Sequence, residues 1–462
     1  MIQYFDSRTG TKECDLCLES CGGDCDSDHA RGDYGFRKSN YAGKAVDDVP
    51  KEGTAVNQAQ PSLKKVLMVH NFYQIGGGEH TVFANEEALL KNHGHEVVKY
   101  TRSNDELKTS KWKLLLSPFS TVWSWKTYRE VKRVIRSEHI DIVHCHNTFP
   151  LISPSVYYAA RACGIPVVQT IHNFRFLCPN GVFYCQGRNC EKCREKKSFR
   201  DALRNCCYRD SKVQTMIVVA MLKVHRMLGT YRKINYIFLT EFNKSKFSDL
   251  IDINGSNVFI KPNFVLPEDA RNEDGKSGST QRPGRQGSRK TFVFVGRLDE
   301  NKGILLLLKA WASLPETYDL RILGNGSCEE QVKEAAAKHG NITYLGFQPH
   351  ERALEEMRRA DAMVFPGLLY EGFPMTISES FSVGCPVIST NIGNQASLVQ
   401  ASGGGELLDP EEEGSLKKAV ERVLADREQY VRKALAYYES VLTPEENYKR
   451  LMDIYDSAQC IR

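Results

Sequence analysis

The chain has 462 residues, 41% hydrophobic and 26% charged, the balance of a soluble globular protein with room for a sizeable core. A formal net charge of +5 is small for this length and does not point to nucleic acid as a partner. The opening MIQYFDSRTG has no basic region followed by an apolar one, and no long apolar run follows, so the fifteen cysteines are expected to be reduced thiols or metal ligands in a cytoplasmic protein.

Residues 1–63 are polar, lack apolar periodicity and read as a disordered arm. Its cysteines Cys14, Cys17, Cys21 and Cys25 match no trusted ligand spacing, and incidental cysteines are the better reading. From Lys64 the pattern changes. KVLMVH reads as a buried strand, IGGGE as a glycine loop, and HTVFANEEALLKNHG as a helix ending at Gly94. EVVKY, IDIVHCHN, IPVVQTIHN, INYIFLT and NVFIKPN continue the strands to residue 265. Residues 266–290 are rich in Gly, Ser, Pro and charge and read as a linker. The alternation restarts over 291–440 with TFVFVGR, LRILG, ITYLGF, AMVFPG, PVIST and GELLD. Strand and helix in regular order mean parallel sheets covered on both faces. Two such domains form a cleft, with ligands at the carboxyl ends of the strands. The segment 441–462 is helical with no strand after it, as if crossing back to the first domain.

YEGFPMTISES, residues 370–380, carries a carboxylate at each end of a loop-to-helix junction, Glu371 and Glu379. Pro374 suits the first helical position, and the free amides near Met375, Thr376 and Ile377 offer an anion site. Carboxylates on both sides of an anion pocket suit a ligand with a central phosphate and hydroxyls at both ends, such as a nucleoside diphosphate sugar. A helix-dipole glutamate beside an ordinary surface one is equally compatible with this stretch alone. VGRLDENKG places Arg297 and Lys302 just past another strand, where two cations would neutralise a diphosphate leaving group. GNGS puts Gly324 and Gly326 at a strand end where backbone and ligand can approach closely.

GRLDENKG, GNG and EGFPMTISE, in that order, resemble the family-4 retaining glycosyltransferases of the GT-B type, over roughly residues 64–460. The resemblance implies an α/β fold of two doubly wound Rossmann-like domains facing across a cleft. It also implies sugar transfer from a nucleotide donor with retained anomeric configuration, by front-face displacement and without a catalytic metal. It gives Arg297 and Lys302 to the diphosphate, Glu379 to the ribose hydroxyls, and Glu371 with the amides after Phe373 to the donor sugar and phosphate. YLGF, ending in Phe347, would flank the base. His172 in TIHNF stands where the family carries a histidine near the transferred sugar. The loop of Gly76, Gly77 and Gly78 would face the donor phosphate or the acceptor. It lacks the G-x-G-x-x-G spacing of a dehydrogenase. One departure is NQASLV after PVISTNIG, where the family has a glycine-rich turn and an acidic residue.

Two features stand outside that scheme. In a Cys-rich insert, 178–207, Cys178, Cys190, Cys193 and Cys206 or Cys207 are candidate ligands of a structural zinc, with Cys190 and Cys193 at C-x2-C spacing; buried small hydrophobes are the other reading. Residues 108–136 hold three of the four tryptophans among many Lys and Arg, and 211–228 form an apolar stretch with a basic side. Contact with an anionic membrane surface is expected for the first, against an ordinary core helix, and a lipid-linked acceptor would explain it. The leading expectation is a sugar transferase of surface polysaccharide or glycolipid assembly acting on a glycan or lipid-linked acceptor. A nucleotide-sugar epimerase, a phosphorylase with pyridoxal phosphate, and a non-catalytic nucleotide-sugar-binding protein are the alternatives.

Overall fold

The computed structural model describes residues 62–73, 78–107, 119–266 and 289–461. All belong to a single unit beginning at Gln60. The arm expected over 1–63, the linker expected over 266–290, Gly76, Gly77 and the basic stretch 108–118 lie wholly or mostly outside the described residues.

Short β-branched and aromatic runs form the strands. In the first sheet they are β1 (Lys65–Phe72), β2 (Glu96–Ser103), β3 (Ile142–Asn147), β4 (Val167–Ile171), β7 (Asn235–Phe238) and β8 (Val258–Ile260). A separate two-stranded hairpin of β5 (Tyr184–Cys185) and β6 (Arg188–Asn189) falls between β4 and β7. The second sheet contains β9 (Lys290–Val295), β10 (Tyr318–Leu323), β11 (Ile342–Gly346), β12 (Ala362–Phe365), β13 (Val387–Thr390) and β14 (Gly405–Leu408). Every pairing within the two six-stranded sheets is parallel. The orders are β2-β1-β3-β4-β7-β8 and β11-β10-β9-β12-β13-β14. Both are doubly wound, with strand order reversing between β1 and β3 and between β9 and β12.

Because side chains alternate along a strand, each sheet feeds two cores. Leu67 and Val69 pack with Val131, Ile135 and Val156 on one face, while Val66 and Met68 face Phe83, Leu90, Leu451 and Tyr455 on the other. Phe292 and Phe294 meet Ile304 and Trp311, whereas Val293 joins Ile377 and Phe381. Helix α1 (Gly78–Asn92) covers the first sheet. Helices α2 (Met375–Ser382) and α3 (Gly393–Ser402) cover the second. The last helix, α4 (Pro444–Ser457), has Thr443 as its side-chain cap and lies against the first sheet through Tyr448, Leu451, Met452 and Tyr455.

A buried ion network fastens that helix. Lys261 Nζ lies 2.8 Å from Glu86 of α1 and donates to Asn447 of α4 at 3.0 Å. His144 of β3 contacts Glu86 at 3.0 Å and the Tyr455 hydroxyl at 2.7 Å. Burial disfavours the Glu86 carboxylate, but the Lys261 ammonium, with His144 alongside, outweighs it and holds its pKa well below the usual range.

Candidate functional site

The second switch point is where the sequence-selected groups converge. β9 and β12 pair only at Phe292–Ala362 and Val293–Met363, so the loops leaving their carboxyl ends diverge into a crevice. Lys302 arrives in the turn after β9 and Glu371 in the loop after β12, and their side chains form an ion pair. Lys302 has 22% and Glu371 16% of its side chain exposed, so the pair is shielded yet reachable from the crevice. Arg297 does not join them: it pairs with Asp299 at 3.1 Å and is 66% exposed. Gly324, at φ +136°, crosses so close that a Cβ would stand 1.8 Å from the Gly296 carbonyl oxygen. Helix α2 begins at Met375, and Pro374 occupies its N-cap rather than the first helical position expected. Phe373, Met375, Thr376 and Glu379 are half-buried along this edge. Phe347 is 72% exposed.

Thr240 and Asn243 of the first domain, with Asn394 and Gln395 of the second, hold the Glu371 loop from behind. The Asn394 side-chain amide, at the start of α3, donates to the Glu371 carbonyl, to the Gly372 carbonyl at 2.9 Å and to Asn243 at 2.6 Å. Asn243 donates to the same Gly372 carbonyl at 2.8 Å, and Thr240 donates to Asn394. Gln395 donates to the carbonyls of Gly367 and Leu369. The atypical NQ pair that departed from the family pattern is therefore what fixes this loop. Sequence reading missed Asn243, Asn394 and Gln395; the one signal was two amide side chains opening a helix directly after a strand.

The opposing wall comes from the first sheet. Gly78 opens α1, and a Cβ there would lie 4.0 Å from the Met375 side chain, so the starts of the two helices adjoin. The His172 carbonyl leaves no space for a side chain at Gly372, where a Cβ would come within 2.0 Å. The His172 ring stacks on His146 and is 3.0 Å from its Nδ1. Burial, with His146 and His70 alongside, holds His172 well below the usual imidazole range, so the ring is neutral.

Glu79, in the first turn of α1, accepts from Asn147 at 3.1 Å and is pushed up to about 7 by burial, against the pull of Arg175. Between about 4.5 and 7 the folded chain keeps a proton that the unfolded chain releases, so this group lowers stability as pH rises through that window. Glu79→Gln is expected to flatten the fall. Urea midpoints for both proteins at pH 5 and pH 8 check it.

Among the described residues, two groups place three ligand atoms within 4.8 Å of one another: His70, Glu79 and His80; and Glu86, His144 and His146. In the second, Lys261 already supplies the cation. The predicted ligands Cys178, Cys190, Cys193 and Cys207 line one small enclosed cavity, and Cys185, which sequence reading left out, joins them. Its sulfur is 3.8 Å from that of Cys207.

The two facing parallel α/β domains are the GT-B architecture, and known proteins agree. The second half matches the family model described as Glycosyl transferases group 1 over residues 278–439. The first half matches that described as Glycosyltransferase Family 4 over residues 75–208. An uncharacterised glycosyltransferase of Methanocaldococcus jannaschii is 22% identical over 362 residues, 74% of this chain and 83% of the relative. The crystal structure of Anabaena HepE in complex with UDP superposes with a TM-score of 0.55 at 15% identity, over 85% of this chain and 100% of that one. The apo lipopolysaccharide outer core galactosyltransferase WaaB does so with a TM-score of 0.56 at 17% identity, over 85% and 99%. The chain belongs to the family-4 glycosyltransferases of GT-B fold.

Proposed function

We propose that the protein is a retaining glycosyltransferase moving a sugar from a nucleoside diphosphate sugar to a glycan or lipid-linked acceptor in surface polysaccharide or glycolipid synthesis. The Lys302–Glu371 pair at the switch point, opposite the N-terminus of α1, carries this reading. In it the donor diphosphate lies between the amides of α2 and the cations Lys302 and Arg297, Glu379 accepts from the ribose, and Glu371 faces the sugar. Gly78 and Gly324 give backbone access, Phe347 flanks the base, and neutral His172 offers the sugar a hydrogen bond without adding charge. The cations and amides stabilise the leaving group, so no catalytic metal is required. The UDP complex of HepE and the galactosyltransferase WaaB support a nucleotide-sugar donor and a glycolipid-type acceptor.

Calorimetry with UDP and GDP tests the donor site. Arg297→Ala removes a charge-assisted contact and is expected to weaken diphosphate binding by about 1.5–3 kcal/mol. Unchanged affinity for both nucleotides would count against the assignment, and donor consumption without transfer to any acceptor would favour the epimerase or binding-protein alternatives. Glu379→Gln is expected to raise the donor KM about tenfold or more with little loss of kcat, because ribose contacts are equal in ground and transition states.

No described helix is long and apolar enough to cross a membrane. The helix Lys212–Met227 buries Val218, Val219 and Leu222 in the core yet exposes Val213, Met216 and Met227. Exposed Phe119 precedes, and exposed Trp125 opens, the helix Trp125–Ser137, which bears Arg129, Lys132, Arg133 and Arg136. These surfaces support peripheral contact with anionic lipid on the cytoplasmic face.

A further inference from the structure

The insert after β4 has only two-residue strands and short helical turns, yet five thiols converge inside it. Cys178, Cys185, Cys190, Cys193 and Cys207 line the same cavity, and Cys178 and Cys193 are only 7% and 8% exposed. Reduced and neutral, these thiols would be weak polar groups in an irregular loop. The charges around them call for something more.

Two guanidinium groups stand near the sulfurs, and Asp201 lines the same cavity. Arg175 acts electrostatically on Cys178, and Arg226 is acted on by Cys193. The Nε atoms of both arginines are buried and have no hydrogen-bond partner. Neither arginine is in an ion pair with Asp or Glu among the described residues; Arg226 donates to the Phe176 carbonyl at 2.7 Å and lies over the Phe199 ring. Four thiolates around a divalent ion leave two negative charges, and guanidinium groups nearby would offset them.

We propose that this insert binds one zinc ion through Cys178, Cys190, Cys193 and Cys207, and that the metal holds the hairpin β5–β6 against the Glu371 loop. The four thiols release their protons on coordination. Cys190 and Cys193 supply the C-x2-C pair. Cys178 and Cys207 close the set from either end of the insert, and Cys185 stands next to Cys207 with its sulfur 3.8 Å away. No three of the sulfurs lie mutually within 4.8 Å, so coordination draws them inward from where they stand. From the hairpin, Asn189 donates to the Leu368 carbonyl at 2.7 Å, three residues before Glu371. Glu191, next to Cys190, pairs with Lys246 at 2.6 Å, and Lys246 lies over the rings of Phe242 and Tyr370. The Tyr370 ring in turn meets Phe174, just before the insert, and Phe183 within it. Loss of the metal would therefore loosen the loop that carries Glu371, a consequence that rests on the donor-site reading above.

Elemental analysis of the full-length protein purified without chelator, together with cobalt substitution, tests the site independently of activity. About one zinc per chain and sulfur-to-cobalt charge-transfer bands of tetrathiolate type are expected. Cys190→Ser and Cys193→Ser should lose the metal, and Cys185→Ser should keep it. Metal-free protein with all thiols reduced, iron in place of zinc, or a Cys185–Cys207 disulfide in non-reduced peptide maps would each overturn the proposal. So would metal retained by Cys190→Ser and lost by Cys185→Ser. If the serine variants do not fold, the wild-type metal content and cobalt spectrum still decide. The link to the loop is read separately, as a several-fold rise in donor KM for Asn189→Ala with its zinc intact; an unchanged KM removes the link and leaves the metal site standing.

Discussion

Glu371→Gln is expected to lower kcat by about 10²–10³-fold while the donor still binds, the range seen when one group preorganised for transition-state charge is removed. As the glycosidic bond breaks, positive charge grows on the sugar ring, and the nearby carboxylate gains attraction only then. The ion pair with Lys302 sharpens the expectation. In the structure Glu371 holds that ammonium, so on the proposed reading donor phosphate would have to compete with it. Neutralising Glu371 frees Lys302 for the diphosphate, so the donor KM should stay level or fall as kcat drops. Lys302→Ala should do the opposite to binding, since it would remove the proposed phosphate contact and strand the carboxylate. Steady-state kinetics on both variants and on Glu379→Gln settle the roles. A raised KM with intact kcat for Glu371→Gln would mean that the two glutamates had been exchanged, and near-wild-type rates throughout would take the site away from α2.

Lys261→Met should destabilise the fold by about 3–5 kcal/mol, the cost of leaving a buried carboxylate without its partner. Glu86 is 0% and Lys261 1% exposed, so water cannot replace the lost ammonium. Removing both charges, Glu86→Leu with Lys261→Met, should recover most of the loss, because an apolar pair of similar volume carries no desolvation penalty. Denaturant midpoints of the single and double variants measure this. A double variant no better than the single one would assign the effect to packing of α4 rather than to charge. Since the Glu86 pKa is depressed, its contribution is present above the ordinary carboxylate range and is lost as pH falls. The wild type should therefore lose stability in acid more steeply than the double variant.

Part of this was written locally. Alternation of short β-branched strands with helical segments is enough to imply parallel sheets buried on both faces, since only that packing satisfies continuous apolar runs such as Val66–Val69 of β1 and Ala362–Phe365 of β12. The Lys302 and Glu371 candidates were legible because each lies just past a strand, where a doubly wound sheet exposes its binding edge. The cysteine insert was legible as spacing, although Cys185 looked like a bystander until the hairpin folded it back toward Cys207.

What the sequence by itself determined was thus the class of fold, its two halves and the identity of the polar groups at the strand ends, because these follow from periodicity and spacing within a few dozen residues. Only the tertiary structure decided how those groups are paired. Lys302 meets Glu371 across 69 residues while Arg297 turns to Asp299, and Asn394 reaches Asn243 across 151. The Lys261–Glu86 contact spans 175 residues and Lys261–Asn447 spans 186. A side chain's partner at such separations depends on where sheet order and helix packing carry it, and a carboxylate or amide in the sequence looks the same whether it ends beside a cation, a backbone carbonyl or solvent.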